Sequence, residues 1–150
     1  MDALATLPVM ERILFLRRVP LFADLAPADL KQVAAITVEA VYSDGDTIVR
    51  QGETGDEMYI IVSGDVSVRI DSDGQPASRE IARRIAGDYV GEMAIISREP
   101  RIATLVAVGS VRVLCLDRKQ FEGILHERPE IGLALMRILC QRLKEATSKN

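Results

Sequence analysis

Gly87-Asp88-Tyr89-Val90-Gly91-Glu92-Met93-Ala94-Ile95-Ile96-Ser97-Arg98-Glu99-Pro100-Arg101-Ile102-Ala103-Thr104 runs out of one β-like segment, through a predicted short helix, and into another. Gly91 and Glu92 stand at the start of that helix, and Arg101 follows between Pro100 and a run of small and β-branched residues. A helix start offers unpaired backbone N–H groups and a partial positive charge. The arginine offers a planar fork of donors matched to phosphate oxygens. Glu92 can accept a hydrogen bond from a neutral hydroxyl such as a ribose 2′-OH. Ala103 and Thr104 leave backbone N–H groups accessible, and the Thr104 hydroxyl adds a donor. A phosphate and a ribose hydroxyl on one small molecule describe a nucleotide.

Each residue alone has a plainer reading. Gly91 could be an ordinary strand-to-helix turn, or a place where the missing Cβ lets backbone approach a ligand. Glu92 could simply favour the helix dipole. Arg101 could be a solvated residue at the mouth of a strand. Taken together, an acid and an arginine in one small cavity could form a buried pair, but such pairs are often close to neutral for stability. A ligand carrying an anion and a hydroxyl uses both groups better.

On either side of this stretch the texture is β. Val38, Val41, Ile48 and Val49 surround the turn Ser43-Asp44-Gly45-Asp46. Met58 to Val62 reads as a strand, and Ser63-Gly64-Asp65 then leads into the alternating Val66, Val68 and Ile70, a pattern that predicts a hairpin. Asp71 to Pro76 is a run of turn formers. Ala103–Val108 and Val111–Leu116 predict two more strands around Gly109-Ser110. Many short strands separated by glycine turns point to a barrel or sandwich-like β-roll.

The ends are helical. Met10 and Ile13 to Leu16 recur at helical spacing until Pro20, and Leu21 to Leu25 reads as a short apolar connector. Pro27 opens a second helix through Leu30 and Val33, with Asp29 in its first turn. Asp117 is a candidate N-cap for a helix carrying Phe121, Ile124 and Leu125, and Pro129 starts a last helix through Leu143. The expected organisation is one domain over 1–150, with N-terminal helices 9–36, a β-roll 37–117 and C-terminal helices 118–147.

Composition excludes several functions. A hydrophobic content of 48% argues against disorder, and a formal net charge of −3 does not favour nucleic acid as a partner. No secretory pattern opens the chain, and its longest apolar runs fall short of the roughly 18 residues of a membrane span, so direct membrane insertion is not expected and the reading is cytoplasmic. Cys115 and Cys140 read as buried thiols in a reducing compartment. His126 is the only histidine, so a metal centre on a β-roll lacks its imidazoles. Asp71-Ser72-Asp73-Gly74 only faintly echoes a calcium loop, and no P-loop or dinucleotide fingerprint is present.

Gly91-Glu92-Met93-Ala94-Ile95-Ile96, three residues, then Pro100-Arg101-Ile102-Ala103-Thr104 closely resembles the phosphate-binding cassette of cyclic nucleotide-binding domains. Tyr42, Gly45-Asp46, Ile48, Gly52, Asp56, Met58-Tyr59, Ile61 and Gly64 resemble that family's glycine-punctuated roll, and Pro20-Leu21-Phe22 its N-terminal lead-in. The resemblance covers about residues 10 to 145. It implies an α+β fold: an antiparallel β-roll (a double-stranded, jelly-roll-like β-helix) of about eight strands, flanked by helices and carrying a short phosphate-binding helix.

The resemblance also implies roles. Glu92 is expected on the ribose 2′-OH and Arg101 on the cyclic phosphate, with backbone at Gly91, Met93, Ala94, Ala103 and Thr104 completing the cradle. Ile102 stands where cGMP-selective members often carry threonine, so cAMP is expected over cGMP. Val90 replaces a common aromatic, a matter of packing more than chemistry. The last helix is the family's lid, and Arg142, on a face with Ile131, Leu135 and Ile138, is the candidate to stack on or bond the purine. The implied role is a regulatory sensor rather than an enzyme, passing lid movement to a fused or separate effector or a dimer partner. A degenerate, non-binding docking or dimerisation module on the same fold is the alternative; a β-roll enzyme would need a metal or nucleophile set that is not seen. No DNA-reading helix-turn-helix is expected within these 150 residues.

Overall fold

Strand Glu57–Ser72 (β3) alternates with period two, and both of its faces are buried where it begins. Met58 and Ile60 point into a cluster with the helices, while Tyr59 and Ile61 point into a second cluster inside the roll. Its partner Thr104–Asp117 (β6) repeats the arrangement, with Leu114 and Leu116 on the helical side and Val113 and Cys115 on the roll side. A strand covered on both faces needs a continuous apolar run, which is what Met58 to Val62 supplies. This computed structural model describes residues 7–91 and 93–148, with the side chain of Arg142 not described.

The remaining elements are helices Val9–Leu16 (α1) and Pro27–Ile36 (α2), strands Val38–Tyr42 (β1), Thr47–Val49 (β2), Gln75–Arg84 (β4) and Tyr89–Val90 (β5), the single turn Met93–Ile96 (α3), and helices Arg118–Glu127 (α4) and Pro129–Ser148 (α5). The sheet is antiparallel in the order β1-β6-β3-β4, with β2 also on β6 and β5 on β3.

Six described strands stand where about eight were expected, because two predicted turns are bends within long strands. Gly64 does not close a hairpin: β3 passes through it at φ +87° while its register with β6 shifts between Ile61 and Ser63 and again between Ser63 and Asp65. Gly109, at φ +71°, is likewise part of β6. The two irregularities lie together, since a Cβ on Gly64 would come within 2.3 Å of the Ser110 carbonyl oxygen. The hairpin is at Asp73-Gly74, where both residues have positive φ and Ser72 pairs with Gln75. This two-residue turn matches the twist of the flanking strands.

The predicted apolar connector is core. Leu21 and Phe22 are fully buried, and Phe22 meets Phe121 edge-on with ring centroids 6.0 Å apart. Pro27 is the first residue of α2, as its missing N–H favours. Asp117 caps α4 by accepting from the Gln120 N–H at 3.2 Å. Ion pairs tie the layers: Arg128 holds Asp29 of α2, while Glu39 of β1 takes Arg12 from α1 and Arg112 from β6.

Candidate functional site

Arg101 is held first by its backbone. Its N–H donates to the Glu53 carbonyl and its carbonyl accepts from Gly52, both at 2.8 Å, and Pro100 bridges to Thr54. Gly52 makes this turn at φ +87°. The side chain therefore starts from a fixed point between the 52–56 turn and β6. Its guanidinium runs inward, donates from Nη2 to the Glu57 carbonyl at 2.7 Å, and lies 5.8 Å from the centroid of the Tyr59 ring. Its Nε is buried with no hydrogen-bond partner.

Two glycines make room for it. A Cβ on Gly55 would come within 2.3 Å of Arg101 Nε and Nη2, and one on Gly91 within 2.7 Å of Nη1. Gly91 also has φ +77°, so both the backbone and the guanidinium require glycine there. Gly91 is thus a close-approach glycine, beyond its role as a turn. Gly55 was not singled out in the sequence, and a Gly-Asp pair in a turn gives no hint of an arginine 46 positions away.

Arg101 borders two cavities. One, of about 470 Å³, is bordered by Gly91, Arg101, Ile102 and Ala103 together with β4 and the Asp88-Tyr89-Val90 segment. The other, of about 360 Å³, is bordered by Arg101 together with Glu53, Asp56, Glu57 and Tyr59. The Tyr59 hydroxyl is pushed well above its ordinary value, by burial first and by Glu57 next, so it stays protonated. Next to this second cavity, Asp56 takes the nearly buried Arg118 at 2.9 Å.

The structure thus brings four predicted site residues, Gly91, Arg101, Ile102 and Ala103, to one cavity. Ile102 is 85% exposed at its rim. Three others are placed differently. Ala94 is buried and its N–H already donates to the Gly91 carbonyl at 3.0 Å. Met93 is half exposed and does not border the cavity. Thr104 is buried in β6, and its hydroxyl accepts from the Gln51 N–H at 2.9 Å. Glu92 and the Arg142 side chain lie outside the described residues. No described residue of α5 borders the cavity; Ile131 and Leu135 instead pack into the helical core. Among the described residues no cluster of His, Cys, Asp and Glu could hold a metal, and no helix is long and apolar enough to cross a membrane.

Comparison with known proteins covers the same elements. The sequence profile described as "Cyclic nucleotide-binding domain" matches residues 39–128, from β1 through the end of α4. The chain is 37% identical over 112 residues to the cAMP-dependent protein kinase regulatory subunit of Blastocladiella emersonii, covering 74% of this chain and 27% of that protein. It is 37% identical over 112 residues to the cGMP-dependent protein kinase egl-4 of Caenorhabditis briggsae, covering 74% of this chain and 15% of that one. The chain therefore spans about a quarter or less of the length of these relatives. In three dimensions it resembles the regulatory domain of Toxoplasma gondii PKA with cAMP, at a TM-score of 0.73 and 32% identity, over 91% of this chain and 50% of that one.

Proposed function

Since this chain belongs to the cyclic nucleotide-binding domain family, we propose that its larger cavity captures cAMP in preference to cGMP and that capture moves α5. The observation that carries this reading is Arg101 at the cavity wall beside Gly91 and Ala103, with its Nε buried and without a partner, as is the Nε of Arg118 elsewhere. A buried unsatisfied donor costs on the order of 1–3 kcal/mol, more when charged. A cyclic phosphate oxygen removes that cost with a charge-assisted bond. The two glycines that clear space for the guanidinium serve the same end.

In this reading Arg101 takes the phosphate, and backbone at Gly91 and Ala103 lines the anion's side of the cavity. Glu92, next to Gly91 in sequence, accepts from the ribose 2′-OH. Ile102 stands at the rim with no donor for a guanine, which favours adenine. Arg142 reaches the purine when α5 closes. The Thr104 hydroxyl oxygen accepts from the Gln51 N–H, and its own hydrogen remains to donate to the phosphate.

The output is regulatory rather than catalytic. A ligand shifts such a domain only by binding one arrangement better than another. Here α5 lies off the cavity, with Leu133, Met136 and Leu143 exposed along it. Drawing it over bound nucleotide covers part of that apolar surface and transmits the change to an effector or a partner copy, with a coupling of about 1–3 kcal/mol.

Side-by-side calorimetric titration with cAMP and cGMP tests the reading. One site per chain with tighter cAMP binding supports it. Equal or reversed affinities refute the adenine preference, and no binding of either nucleotide at millimolar concentration refutes the sensor and favours a docking module.

A further inference from the structure

The smaller cavity carries more negative charge than anion capture favours. Its charged residues are Arg101 and the acids Glu53, Asp56, Glu57 and Asp117. Three of these acids are engaged or solvated. Asp56 takes Arg118 at 2.9 Å, Asp117 accepts from the Gln120 N–H at 3.2 Å, and the exposed Glu53 lies 3.9 Å from Arg50. The half-buried Glu57 carboxylate makes no hydrogen bond or ion pair among the described residues.

The register fixes the side to which that carboxylate turns. Glu57 to Ile61 pair with Asp117 to Val113 without a shift, so β3 alternates regularly here. Tyr59 and Ile61 point into the roll, and Glu57 shares their face. Its charge is felt there: after burial, Glu57 is the next cause that raises the Tyr59 hydroxyl and the Cys115 thiol. The Arg101 guanidinium acts on Tyr59 in the opposite sense, and it meets Glu57 through the main chain, Nη2 to the carbonyl oxygen at 2.7 Å. The cation and the anion thus stand on one wall, in contact through the backbone, with their charges unpaired.

Resting on the reading above, the geometry points to Glu57 as a resident anion that opposes phosphate capture by Arg101 and so sets the affinity of the site. An unpaired carboxylate disfavours a second anion nearby, as it disfavours ionisation of a neighbouring acid. Glu57 does not neutralise Arg101, which stays available to the ligand, but the phosphate arrives beside a charge of its own sign. Solvent reaches Glu57, so the repulsion is partly screened and its effect modest. Both cyclic nucleotides carry the same phosphate. The brake therefore acts on both alike, leaves their ratio unchanged, and moves the working range of the domain to higher ligand concentration.

The test is a calorimetric titration of the wild-type chain, Glu57→Gln, Glu57→Ser and Glu57→Asp with cAMP and cGMP, with circular dichroism confirming each fold. Both neutral variants are expected to bind both nucleotides about three- to tenfold more tightly than the wild type, with the cAMP-to-cGMP ratio unchanged within twofold. Glu57→Asp, which keeps the charge, is expected to stay within about twofold of the wild type. The gain on neutralisation is expected to shrink between about 50 mM and about 500 mM salt, a dependence that a purely structural role would not produce. Affinity unchanged or weakened in the neutral variants, or a gain indifferent to salt, overturns the role of Glu57 while leaving the sensor intact. Binding by the neutral variants but not by the wild type supports the brake and overturns the sensor. Failure of all four chains to bind either nucleotide overturns both. Should Glu57→Gln not fold, Glu57→Ser decides.

Discussion

The guanidinium of Arg101 bonds the main chain of Glu57, Nη2 to carbonyl at 2.7 Å, and is thereby held inside the roll with its Nε buried and unpaired. The arginine is fixed at two points, its own backbone on the 52–53 turn and its fork on the start of β3. A side chain fixed in this way is preorganised, and little rotamer entropy remains to be lost when an anion arrives.

Arg101→Ala separates binding from stability. Loss of the charged contact weakens cyclic nucleotide by about 2–4 kcal/mol, roughly 30- to 1,000-fold. Folding stability changes by less than about 1 kcal/mol, because the variant also removes an unsatisfied buried donor. Calorimetry and thermal melts on the same preparation read both; an affinity change below threefold removes Arg101 from the site.

Gly55→Ala is expected to move Arg101 rather than unfold the chain. The three atoms nearest the added methyl, from 2.3 Å, all belong to the end of that flexible side chain. Affinity falls at least tenfold while the melting temperature shifts little. Adding Gly55→Ala to Arg101→Ala then produces almost no further loss of affinity, and a strictly additive double mutant would contradict the contact.

Glu39 predicts an acid limb. Burial alone would raise its carboxyl, but the Leu7 N–H and the Arg112 and Arg12 guanidinium groups outweigh burial and hold it below the ordinary value of 4.5. A lowered folded-state value means stability that is present above the unfolded value and is lost as pH falls through the folded one. Glu39→Gln is expected to cost about 1–2 kcal/mol at pH 7, partly screened by solvent, and to flatten urea-melt stability below about pH 4.5. Parallel pH profiles for variant and wild type would contradict this.

The thiols differ. Burial first and Glu57 second push Cys115 up to about 12, whereas Cys140 is exposed on α5. A maleimide at pH 7 is expected to label one thiol in the native protein and two in denaturant, with mass spectrometry placing the first on Cys140. Native labelling of Cys115 would show the roll open.

What could be read from the residues, and what could not, divides along one line. That Arg101, Gly91 and Ala103 share one cavity was legible because a close-approach glycine, an arginine after proline and small neighbours announce themselves by residue type. Helix starts at Pro27 and Asp117 were legible because caps act within four residues. Gly64 and Gly109 misled because a left-handed glycine serves a turn and a bulge equally, and only the packing of Gly64 against Ser110 settles which. The Asp73-Gly74 turn was visible as turn formers, but its tight hairpin was not, since the strand after it, Gln75 to Arg84, is mostly polar and exposed. The bond from the Gln51 N–H to the Thr104 hydroxyl oxygen was not legible, because 53 positions separate the two residues.

The most direct test of the account is a crystal structure of the chain with cAMP. It predicts a phosphate oxygen about 3 Å from Arg101 Nε, with the ribose directed toward Gly91 and the base toward β4. A nucleotide bound elsewhere, with Arg101 Nε still unpaired against Gly55, would contradict it.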